Sequence, residues 1–145
     1  MKRLAVWFVP LAVVLASCAP PRNPDEQAQI LFNKGQKYIL QAIEQEEAAP
    51  AQMDQARAVL SRHEKGVTQS LAALLRKHKE LFGGVMGGKK TADLLALEQA
   101  FHQAHEQAMK SVGAMHEDLE KAVGEKVWKG ASAWMGAKAE KFLKE

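Results

Sequence analysis

Two long segments of nearly equal length, residues 51–82 and 91–123, constrain this chain most. In the first, Ala56, Leu60, His63, Val67, Leu71, Leu74, His78 and Leu81 recur at spacings of three and four, which lays them along one helical face. In the second, Leu94, Leu97, Phe101, His105, Ala108, Val112, Met115 and Leu119 do the same. At about 1.5 Å per residue each arm is about 48 Å long, and equal arms suit an antiparallel hairpin. The stretch between them, Gly83 to Lys90, holds four glycines able to adopt turn conformations. Thr91 and Asp93 then offer an N-cap and a first-turn carboxylate.

Beyond its first residues the chain is rich in Ala, Gln, Glu, Lys, Leu and Met and poor in β-branched residues. Its punctuation marks four segments: Pro24 to Glu47, ending at Ala48-Ala49-Pro50; Ala51 to Phe82; Thr91 to Val123; and Glu125 to Lys144. The expected fold is all-α, an antiparallel helical hairpin extended to a three- or four-helix bundle. Charge agrees with that: residues 23–48 carry −3, residues 51–90 carry +5, residues 91–123 carry −4 and residues 124–145 carry +2. Opposite fields favour neighbouring helices and disfavour like-charged pairings, although each exposed pair contributes under about 1 kcal/mol. No fixed-period repeat is present, which argues against a solenoid.

The amino terminus has another character. Lys2 and Arg3 precede an apolar run from Leu4 to Leu15 that closes on Leu15-Ala16-Ser17-Cys18. A permanent span needs roughly twenty apolar residues, and this shorter run contains Pro10. The segment resembles the bacterial lipoprotein signal peptide, whose closing motif is the lipobox. The resemblance implies cleavage before Cys18, a diacylglyceryl group on its sulfur and, usually, a third acyl chain on the new amino terminus. One acyl chain binds a membrane reversibly, whereas two or more hold firmly. Among such lipoproteins of didermal bacteria, an Asp after the cysteine retains the protein in the inner membrane. Ala19 stands here, which implies the inner leaflet of the outer membrane, facing the periplasm. The expected organisation is a cleaved signal at residues 1–17, an acylated Cys18 with a proline-rich tether over residues 18–24, and one helical domain over residues 25–145.

Removing 17 of 145 residues leaves 128, enough for one domain with a sizeable core. The formal charge of +3 falls to +1 once Lys2 and Arg3 leave, so nucleic acid is not an expected partner. Cys18 is the only cysteine, which forbids an internal disulfide. Gly83 to Thr91 comes close to a nucleotide phosphate loop, but Lys90 stands where the magnesium-binding hydroxyl belongs and a helical pattern, not a strand, leads in.

Histidines offer the candidate chemistry. Glu98, His102, His105, Met109 and His116 fall within an arc of roughly 60° on one helix, at spacings that could share a metal ion. If the hairpin turns at the middle of the glycine stretch, His63 falls opposite Lys110 and within about a turn and a half of Met109 and His105. A His and Met cluster suits copper, and adding Glu98 suits zinc or nickel. The structural alternative is that His63, His78 and His105, on apolar stripes, sit neutral with one hydrogen bond, with Met109 as core filler.

No nucleophile elbow and no compelling cluster of acids and bases is present, and Ser61, Ser70, Ser111 and Ser132 read as helix-surface residues, so an enzyme is not expected. In the last segment Trp128, Ala131, Met135, Ala139 and Phe142 form a stripe, with Trp134 off it and five lysines around it. Such a helix can lie on an anionic membrane, close the bundle, or present Trp128, Trp134, Met135 and Phe142 to a partner. The functional expectation is a lipid-anchored periplasmic lipoprotein that acts as an interaction, assembly or pilotin-like adaptor, pilotin-like in size, anchor and helicity. It would work with an envelope protein partner or by self-association. The alternative is a zinc- or copper-binding lipoprotein; in the adaptor reading the acyl groups on Cys18 are the sole attachment and no cofactor is needed.

Overall fold

The computed structural model describes residues 23–144, with side-chain placement through Ala139; Cys18 and the side chain of Phe142 lie outside it. Four helices account for nearly all of the described residues: α1 (Pro24–Gln45), α2 (Pro50–Met86), α3 (Thr91–Val123) and α4 (Glu125–Lys144). The all-α bundle read from the sequence is therefore the fold, with four helices among the described residues.

Local chemistry sets most of the ends. Asn23 caps α1 by accepting the Asp25 N–H at 3.0 Å, with Pro24 in the first turn and Asp25 and Glu26 facing the positive end of the helix dipole. At the start of α2, Gln52 Oε1 accepts the Ala49 N–H at 2.8 Å while its Nε2 donates to the Val123 carbonyl at 2.6 Å. One side chain thus satisfies backbone groups at the start of α2 and the end of α3. Gly124 is the whole α3–α4 connection. Its N–H donates to Glu120 O at 2.8 Å, its carbonyl accepts the Trp128 N–H at 3.0 Å, and its φ of +88° is one that L side chains rarely adopt.

The principal interfaces are α2 with α3, α1 with α2, α1 with α4, and α3 with α4. The helices thus form a ring in chain order, in which every neighbouring pair carries opposite net charge and the like-charged pairs sit on the diagonals. Within the ring, Phe32, Ile39 and Ile43 of α1, Leu60, Val67 and Leu74 of α2, Val112, Met115 and Leu119 of α3, and Trp128 and Met135 of α4 share one core. Ser70 and Ser132, read from the sequence as surface residues, are both buried. Ser70 returns its hydroxyl to the Val67 carbonyl at 3.0 Å.

Two differences from the sequence reading matter. Helix α2 does not stop at Phe82: it runs through Gly83 and Gly84 to Met86, and the turn is Gly87 to Lys90. Gly84 is buried because α3 lies against its bare backbone. A β-carbon there would stand 2.7 Å from Leu97 Cδ1 and 3.3 Å from Leu94 Cδ2. Thr91, in turn, is the first helical residue of α3 and not its cap. Lys90 occupies the cap position without a side-chain bond.

The arms are also of unequal reach. Helices α2 and α3 contain 37 and 33 residues, whereas α1 and α4 contain 22 and 20, so the hairpin outruns its partners. The overhang lies at the end where α1 begins, since Arg76 of α2 pairs with Asp25 of α1 at 3.0 Å and ten further residues of α2 follow. On the α3 stripe, Ala108, Val112, Met115 and Leu119 are buried, while Leu94, Leu97, Phe101 and His105 are half-buried. Toward the overhang, fewer helices remain to cover them.

Candidate functional site

The longer α2 moves its register against α3. His63 Nε2 lies 2.9 Å from Asp118 Oδ2, and Gly84 faces Leu94 and Leu97. Compared with a turn centred on the glycine stretch, the partner of His63 moves along α3 by about eight residues, or about 12 Å. His63 is therefore held in a polar knot around Asp118, whose carboxylate also lies 3.6 Å from Arg62 and 3.5 Å from Lys121, away from Met109 and His105. The His63 hydrogen bond is the main cause holding the Asp118 carboxyl below its ordinary range; burial opposes it, and Lys121 and Arg62 assist.

The remaining members of the proposed metal set do not converge. Glu98 Oε1 and His102 Nε2 are 3.6 Å apart on an exposed face, His105 lies 6.3 Å from the Phe101 ring, and Met109 packs against the core. Among the described residues no group of three or more His, Cys, Asp or Glu could hold a metal ion. His116, on the same arc, packs edge-on against Trp128 with ring centroids 5.3 Å apart, and burial pushes its pKa down to about 4.

The α4 stripe faces inward. Trp128 and Met135 are 8% and 3% exposed, so both belong to the core. Trp134 is half-buried, its ring 5.2 Å from that of Tyr38 on α1, with Lys138 Nζ 5.4 Å from its centroid. Trp128 and Trp134 thus pack α4 against α3 and α1.

The unpartnered apolar surface lies elsewhere, at the tip of the overhang. Phe82, Val85, Met86 and Leu95 are 61%, 56%, 72% and 60% exposed, and they are the exposed large hydrophobics of the described residues. Phe82, Val85 and Met86, three and four apart, share one face of α2. The register that sets Gly84 against Leu97 and Leu94 brings Val85 level with Leu95. Lys89 and Lys90 stand exposed in the turn beside them. Sequence reading missed this site because Val85 and Met86, flanked by glycine pairs, resemble loop filler. The signal was there in the lengths of the segments, since two short helices cannot cover two long ones.

No family model, no curated protein and no solved structure matches this chain. Among the described residues no helix is long and apolar enough to cross a membrane.

Proposed function

We propose that this chain is a lipid-anchored lipoprotein of the cell envelope, attached through Cys18 and facing the periplasm, that acts by contact as an interaction or assembly adaptor. The observation that carries the contact reading is the tip: among the described residues, the large hydrophobics left exposed are Phe82, Val85, Met86 and Leu95, all close to the end of the hairpin, while the others are buried wholly or in part. Apolar surface gathered in one place, with cationic residues beside it, marks a surface that meets something. The lipobox supports the anchor, and Ala19 supports the outer membrane. Metal binding is left without an observation in its favour, since the Glu98, His102, His105, Met109 and His63 set is dispersed.

A photo-crosslinking residue placed at Leu95 in the intact chain, in its own cells, tests the contact reading. A discrete protein or lipid adduct is expected there and not from Gln55, which is exposed at the opposite end of α2. Equal, diffuse labelling from both positions would count against it.

A further inference from the structure

The tip lies at the end of the bundle where α1 begins, the end nearest in sequence to Cys18. Asp25, at the start of α1, is level with Arg76, and from there α2 runs ten more residues to Met86, about 15 Å. In the opposite chain direction, Cys18 lies six residues before Pro24, and extended chain spans about 3.3 to 3.6 Å per residue, a reach of about 20 Å. An acyl group on Cys18 and the apolar tip can therefore meet one plane.

The chemistry of the tip fits such a plane. Phe82, Val85, Met86 and Leu95 offer exposed apolar side chains at the end of the hairpin, and residues 77–95 carry four lysines against two carboxylates. Lys89 and Lys90 lie in the turn itself, where they would reach phosphate groups as the side chains around them enter the headgroup boundary. A second copy meeting the first tip to tip would bring these lysines together, which disfavours that pairing.

We propose that the hairpin tip is a second membrane contact: it inserts into the headgroup layer of the anionic bilayer that holds the acyl chains, so that the bundle stands on two points. This rests on the anchored reading above and names the partner of the same surface. Two contacts fix an orientation that one attachment cannot, with the α1–α2 turn directed away from the membrane.

The test uses the full acylated chain with Met86→Cys, whose thiol is free while Cys18 is blocked, labelled with an environment-sensitive fluorophore. It is reconstituted into vesicles of phosphatidylcholine with phosphatidylglycerol, and into phosphatidylcholine without it. The expected result is a blue shift and loss of acrylamide quenching at position 86 in the anionic vesicles, weaker in the neutral ones, and no change for a label at Gln55→Cys. Lys89→Glu with Lys90→Glu should abolish the protection while helicity and acyl mass stay unchanged. A label at 86 as open to acrylamide as one at 55 in both vesicles overturns the proposal, as does protection that rises with protein density at fixed lipid, the mark of self-association. If intact mass shows Cys18 unmodified, the anchor reading fails separately. The label is then read on the unacylated chain added to the same anionic vesicles, where protection supports the tip contact and its absence overturns it.

Discussion

His63 meets Asp118 across the α2–α3 interface at 2.9 Å, with Arg62 and Lys121 closing on the same carboxylate at 3.6 and 3.5 Å. This contact fixes the register of the long hairpin in its body, as Gly84 against Leu97 does near the tip. Replacing either His63 or Asp118 with Ala should lower the thermal midpoint. The double variant should lose less than the two single losses combined, because each single change already removes the shared contact. Strictly additive losses would mean that the pair is not coupled.

His116 makes the bundle acid-sensitive in a definite window. Its pKa is about 4 in the folded chain against an ordinary 6.5, so in between the unfolded chain binds a proton that the folded chain does not. The neutral ring costs nothing above pH 6.5. Stability then falls as pH drops from 6.5 to 4, by about 3 kcal/mol over the whole range and about 2 kcal/mol by pH 5. Urea unfolding at neutral pH and near pH 5 should show this slope, and His116→Gln should flatten it. Asp118 adds a separate loss at lower pH: its depressed pKa stabilises the fold above the ordinary carboxylate range and ceases to as pH falls through the folded value.

Much of the fold was legible before the structure. Leu60, Leu74, Val112 and Leu119, at spacings of three and four, are core residues, and the alternating segment charges anticipated which helices adjoin. The end of α2 was not. Gly83-Gly84 is a stop signal by propensity, and it is overruled by a tertiary fact, the seating of Leu94 and Leu97 on Gly84. That one misplaced end carried His63 from Asp118 to Met109 and so added it to the set read along α3. The α4 stripe was read correctly as a stripe, but periodicity cannot say whether such a face meets the core or a partner.

Gly84 should tolerate no large side chain. Gly84→Leu forces Leu97 and Leu94 aside, with an overpacking cost of about 1–3 kcal/mol. The damage should be confined to the overhang, seen as faster hydrogen exchange over residues 80–97 with little change around Leu60 and Leu119. Uniform loss of protection throughout the bundle would show that the overhang is not an independent extension.

Helix α4 is structural. Trp128→Ala should cost about 3–5 kcal/mol, the usual result of emptying a buried aromatic site. Deleting residues 125–145 should remove cooperative unfolding from what remains, because Tyr38 and His116 lose the tryptophans that cover them. A truncated chain that still melts cooperatively near the original midpoint would show α4 to be an appended arm.

The proposed anchored, membrane-facing orientation depends on what happens at Cys18, and the intact mass of the protein extracted from its own membrane measures that directly. A chain that begins at Cys18 and carries the added mass of two or three acyl groups is the expected result. A chain that begins at Met1 with a free thiol on Cys18 would contradict the anchor and the two-point attachment built on it.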